Sequence, residues 1–103
     1  MRELNFIKAK EKKHFLKITM PDEQALTLTA PKKKIVDALQ SIQGGDEAEI
    51  DKLYKIMPLV LNSNLEKIVY TQDQIDDLLD IEDVNLLFDA YMDFLGEISN
   101  SKN

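Results

Sequence analysis

The sequence contains no cysteine, one histidine and three glycines in 103 residues. Without cysteine there is no disulfide, no thiolate nucleophile and no Cys-based metal site. A single histidine leaves too few typical ligands for zinc. That residue, His14, lies in Glu11-Lys12-Lys13-His14-Phe15, where no spacing supplies an orienting acid and a nucleophile; it reads as a surface or partly covered side chain. Gly44-Gly45 reads as a helix stop and Gly96 falls inside a helical stretch, so no phosphate-cradling loop or dinucleotide fingerprint is present. No apolar run approaches the roughly 20 residues of a membrane span. The start, Met1-Arg2-Glu3-Leu4-Asn5-Phe6-Ile7, does not read as a secretory signal.

What remains is a chain long enough for one domain and, at 44% apolar residues, rich enough to build a core. Its charge is unevenly divided. Residues 1–34 carry nine basic and four acidic side chains, and residues 35–103 carry four basic and fifteen acidic ones, for a total of −6. The expected organisation is a single domain over 1–103: a strand-rich basic segment (1–30), an acidic helical segment (31–98) and a flexible tail (99–103).

Phe15-Leu16-Lys17-Ile18-Thr19 and Ala25-Leu26-Thr27-Leu28-Thr29 alternate apolar and polar residues, which predicts two strands. Pro21-Asp22-Glu23-Gln24 predicts the turn between them. Leu4–Ala9 is a candidate third strand. A helix is expected from Pro31 to Ile42, capped by Thr29, with Ile35, Leu39 and Ile42 inward and Val36 beside them. Lys32, Lys33 and Lys34 then lie at the positive end of its dipole, either as a solvated face or as a surface for an acidic partner.

A second helix is expected from Asp46, with Ile50, Leu53, Tyr54, Met57 and Leu61 at helical spacing. Pro58 should kink or break it near Met57, with 59–67 helical again and fraying at Asn62-Ser63-Asn64. Thr71-Gln72-Asp73-Gln74 has the form of a capping box, and Ile75, Leu78 and Leu79 follow on one face. The last helix should run from Ile81 to Ile98, capped by Asp80. Its wide stripe is Val84, Leu87, Phe88, Tyr91, Phe94, Leu95 and Ile98. The fold class is therefore α+β, mainly helical: an N-terminal β-hairpin followed by about four helices.

Asp73, Asp76, Asp77 and Asp80 place acids at three- and four-residue spacing, as a metal or acid–base pair requires. Each is also explained by helix capping, dipole interaction and solubility, and is read that way. No cofactor or metal is expected, and no enzyme. Lys8, Lys10, Lys12, Lys13 and Lys17, with Arg2, form a candidate basic patch for phosphate or for the acidic helices of another copy. Tyr54, Met57, Tyr70, Tyr91, Met92 and Phe94 are candidate partner contacts, because aromatic and Met side chains offer adaptable apolar area. For Tyr54, Tyr91 and Phe94 the competing role is filling the domain's own core. Met92 lies off the centre of the stripe.

The order of these elements, with Thr29-Ala30-Pro31-Lys32-Lys33, Asp51-Lys52-Leu53-Tyr54-Lys55-Ile56-Met57, Leu61-Asn62-Ser63-Asn64, Tyr70-Thr71-Gln72-Asp73-Gln74-Ile75 and Leu87-Phe88-Asp89-Ala90-Tyr91-Met92-Asp93-Phe94, resembles the small tail assembly chaperones of long-tailed bacteriophages and prophages of Gram-positive hosts. The resemblance implies a non-enzymatic protein of the host cytoplasm that binds the tape measure protein. It would keep that protein soluble while tail tube subunits polymerise, and be absent from the mature virion. It further implies self-association, contact with the tube protein, and a longer frameshifted form of which this chain would be the short counterpart. The alternatives left by the residues alone are a protein-interaction adaptor of a prophage or bacterium, and a nucleic-acid-binding module.

Overall fold

The Leu/Ile and Lys/Thr alternation resolves into a hairpin of β1 (Leu16–Thr19) and β2 (Ala25–Leu28). They pair antiparallel, with Leu16 opposite Leu28 and Ile18 opposite Leu26. Leu26 and Leu28 are buried and their partners half-buried, while Lys17, Thr19 and Ala25 face solvent. The computed structural model describes residues 3–6, 14–42 and 49–100. The turn closes through the Met20 N–H to the Gln24 carbonyl and the Glu23 N–H to the Met20 carbonyl, both 2.8 Å. Glu23 takes a left-handed conformation, φ 72°, and the Asp22 carboxylate accepts from the next amide but one, that of Gln24, at 3.1 Å.

Residues 3–6 form no strand, and Leu4 and Phe6 are exposed; the rest of the expected third strand lies outside the described residues. The outer edge of β2 is covered by residues 64–66. Asn64 bridges Leu28, and the Leu65 N–H reaches the Thr27 carbonyl at 3.0 Å. The Glu66 carboxylate accepts from the Thr27 amide at 2.8 Å and from its hydroxyl at 2.6 Å. A side chain thus completes the ladder where a strand would. Those two bonds from Thr27, hydroxyl first, hold the Glu66 carboxyl below its usual range.

Four helices follow: α1 (Lys33–Gln40), α2 (Glu49–Leu61), α3 (Gln72–Leu78) and α4 (Ile81–Asn100). The expected start of α1 is corrected. Its N-cap is Lys32, with no side-chain cap, rather than Thr29. Pro31 disfavours helical backbone at Ala30, so the helix begins beyond the proline. The inward stripe holds: Ile35, Leu39 and Ile42 are buried. The proposed Gly44-Gly45 stop lies outside the described residues, as do positions 101–103 of the tail; Ser99 and Asn100 belong to α4.

α2 is the hub, touching β2, α1, α3 and α4. This explains why its buried set is broader than one stripe. Ile56 and Val60 are buried with Leu53, Met57 and Leu61, whereas Ile50 is exposed. The helix continues through Pro58 to Leu61, against the expected break. Proline at 58 cannot donate to the Tyr54 carbonyl, but the Gln72 side-chain amide donates to it at 2.9 Å. The packing of α3 on α2 supplies the missing bond. Replacing Gln72 with Ala should cost about 1 kcal/mol. In a Pro58→Ala background, where the helix can make its own bond, the cost should shrink by about half. Urea unfolding of the four-protein cycle checks this, and equal Gln72→Ala costs in both backgrounds would refute it.

Residues 62–67 are not helical, a second correction. Asn62 clasps Tyr70 in both directions, amide to carbonyl at 2.9 Å and carbonyl from N–H at 2.8 Å. Asn64 donates to the Leu61 and Ile68 carbonyls, both at 2.7 Å, and accepts from the Ile68 N–H at 2.9 Å. The two asparagines compete with the helical ladder for backbone groups and win. They tie down the segment rather than fray it.

The expected capping box on α3 is present: the Thr71 hydroxyl accepts from the Gln74 N–H, and the Gln74 side chain accepts from the Thr71 N–H. Asp80 and Asp83 form the same reciprocal pair at α4. The α4 stripe is core: Val84, Tyr91 and Phe94 are buried, with Leu87, Phe88, Leu95 and Ile98 packed at its margins.

Candidate partner-binding surface

Most of the aromatic and Met residues nominated as partner contacts face inward. Met57, Tyr70, Tyr91 and Phe94 are buried, and Tyr54 is half-buried with its hydroxyl on the Leu79 carbonyl at 3.0 Å. Tyr70 donates to the Asp22 carboxylate at 3.1–3.2 Å. Tyr91 and Phe94 meet with ring centroids 6.2 Å apart. These residues hold the domain together and do not form a shared surface. Met92 differs, at 38% exposed.

Met92 lies in a groove between α1 and α4. Among the described residues its walls are Val36, Leu39, Gln40 and Ile42 on one side and Phe88, Met92 and Leu95 on the other, around a volume of about 320 Å³. Positions 88, 92 and 95 follow one helical face. The α4 stripe is wider than the contact it makes with α2, so its margin lines a furrow. Asp89, Asp93 and Glu97 on α4 are exposed, and the helix carries no lysine or arginine.

No family model matches the chain, and no curated protein or solved structure is significantly similar to it.

The other nominated groups are dispersed. Of the candidate basic patch, Lys17 is exposed on β1; Arg2, Lys8, Lys10, Lys12 and Lys13 lie outside the described residues. His14 is exposed. Asp80 caps α4 and Asp76 accepts from Gln72 at 3.0 Å. Among the described residues, no three His, Asp or Glu side chains converge as metal ligands, and no helix is long and apolar enough to cross a membrane. The chemistry on offer at the groove is apolar contact. Phe88 and Leu95 were legible as stripe residues; that they wall a groove with Val36 depends on how α1 lies against α4.

Two buried tyrosines give the domain an alkaline limit. Tyr70 and Tyr91 are each pushed up to about 12, by burial in both and additionally by the Asp22 carboxylate beside Tyr70. An unfolded chain releases these protons near pH 10. Their contribution to stability is therefore complete below about pH 10 and is lost as pH rises towards about 12. The Tyr91 hydroxyl finds no hydrogen-bonding partner among the described residues. Tyr91→Phe should therefore leave stability at pH 8 within about 1 kcal/mol of the parent and flatten its fall above about pH 10. Urea titrations at a series of pH values check both; an unchanged alkaline slope would refute the assignment.

Proposed function

We propose that this protein is a non-enzymatic binding module that shields an apolar helix of a partner, and that it serves as a tail assembly chaperone for a phage tape measure protein. The observation that supports this reading is the α1–α4 groove, whose walls are apolar except for Gln40 and whose one sequence-nominated exposed residue is Met92. A groove between two helices is a common seat for one face of a third helix. Each Leu or Phe anchor buried there would contribute roughly 1.5–3 kcal/mol. The acidic residues of α4 outside the groove keep a coated helix soluble through charge repulsion between complexes. Release needs only that tube subunits compete for the covered helix, so no nucleotide cycle is required. In this role the protein works in the host cytoplasm and departs before the tail is complete.

The test is co-expression with the tape measure protein, followed by size-exclusion chromatography with light scattering. A soluble complex with several copies per tape measure chain is the expected result, and Met92→Glu should abolish it while the variant itself stays folded. A tape measure protein that remains insoluble at every copy ratio and salt concentration would displace this reading in favour of an adaptor for a different protein. Retention of the chaperone at stoichiometric level on mature tails would contradict release by displacement.

A further inference from the structure

A second cleft lies where the link from β2 to α1 faces the end of α2 and the loop after it. It encloses about 570 Å³, within the range of sites that hold small ligands or a few peptide residues. Pro31, Ile35, Pro58, Leu59 and Leu65 supply its apolar surface. Leu59 and Leu65 are 37% and 56% exposed. Lys32 and Lys34 stand at its edge.

The lining contains no carboxylate, although the protein carries 19 acidic residues. A smaller hollow between α1 and α2 shares Leu59 with the cleft and adds Lys52 and Lys55, again with no carboxylate. Together the two hollows make a largely apolar strip, with Lys32 and Lys34 at one end and, at the other, Lys52, whose amine reaches the Ser41 carbonyl at 3.5 Å, and Lys55, which also borders Asp51 and Asp76. The ion pair found among the described residues uses Lys33 and Asp37 at 2.8 Å, which leaves Lys32 and Lys34 without a carboxylate partner there. Lysines grouped at the start of α1 repel one another and oppose its dipole. The polar amides in the wall are already committed: Asn62 to Tyr70, and Asn64 to Leu61 and Ile68. The strip therefore offers positive charge and apolar area, with no acid or histidine for chemistry.

We propose that this α1–α2 strip is a docking surface for an acidic peptide segment whose apolar side chains enter the cleft, supplied by another protein. Charge complementarity selects the occupant, since a basic or neutral segment gains nothing from the ammonium groups of Lys32 and Lys34. The site is separate from the α1–α4 groove and does not depend on the chaperone reading.

The test is titration of the intact protein with three short synthetic peptides, followed by amide chemical shifts. One alternates Asp and Leu, one replaces Asp with Lys, and one replaces Leu with Ser. The Asp–Leu peptide should bind, shift residues of the strip, and weaken as salt rises. Lys32→Glu with Lys34→Glu should reduce its affinity at least about tenfold, as two attractions become repulsions. Leu65→Ser should weaken it separately, and Lys17→Glu should not. Failure of the Asp–Leu peptide to bind, equal binding of the Lys peptide, shifts confined to the Met92 groove, or indifference to the double charge reversal would each overturn the proposal. So would a concentration-dependent dimer that the double reversal converts to monomer, because the occupant would then be a second copy.

Discussion

Asn64→Ala is expected to lower stability by about 3 kcal/mol, which for a domain of this size is a fall of about 12–20 °C in melting temperature. Asn64 is the one buried polar residue among those described. Its amide serves two carbonyls, those of Leu61 and Ile68, and its oxygen serves the Ile68 N–H. Truncation leaves three backbone groups without partners, and the Leu61 side of the site is sealed from water. The backbone of the same residue bridges β2 at Leu28, so a loop that shifts when the amide is lost loosens the cover on the hairpin edge. Asn64→Asp should be no better. It keeps the acceptor for Ile68 but sets a carboxylate against two carbonyl oxygens that need donors. Calorimetry and urea unfolding check both, and a cost below about 1 kcal/mol for Asn64→Ala would show that water replaces the amide.

Leu28→Ala is the second large effect, at about 3–4 kcal/mol. Leu28 has no exposed surface. It lies in β2, the strand that packs on α2, and pairs with Leu16 on one side and Asn64 on the other. Neighbours held from several sides cannot collapse into the space left by the lost methyl groups, so the cavity cost adds to the transfer cost. Leu86→Ala is the matched control. That side chain is 69% exposed and its truncation should stay within about 0.5 kcal/mol. Because Leu28 and Asn64 meet, the double variant should lose less than the sum of the two. Simple additivity would mean that the two side chains share no energy. A Leu28→Ala cost as small as that of Leu86→Ala would mean that the hairpin is not fastened to the helical core.

The same junction shows why the loop after α2 was hardest to read. Asn62-Ser63-Asn64 has the composition of a fraying helix end. Its asparagines face backbone groups of Tyr70 and Ile68, and that geometry exists only once the chain has turned back. Pro58 is similar. The local rule is sound, since proline removes a donor, yet the consequence was decided by Gln72 from the next helix.

What the sequence by itself determined is the local and periodic part. Alternation placed β1 and β2, the Thr71–Gln74 and Asp80–Asp83 pairs started α3 and α4, and the 3.6-residue stripes picked out Ile35, Leu39, Ile75 and Val84 as interior. Each of these depends on neighbours within one turn or one strand. Only the tertiary structure decided what crosses between elements. It kept α2 whole through Pro58, made residues 64–66 the neighbour of β2, and turned Met57, Tyr70, Tyr91 and Phe94 inward while leaving Met92 out. The reason is physical. A hydrophobic residue records a preference for burial and not for a partner, and a side-chain amide serves a distant carbonyl as readily as a near one. Which of those possibilities is realised is fixed by how the helices pack around α2.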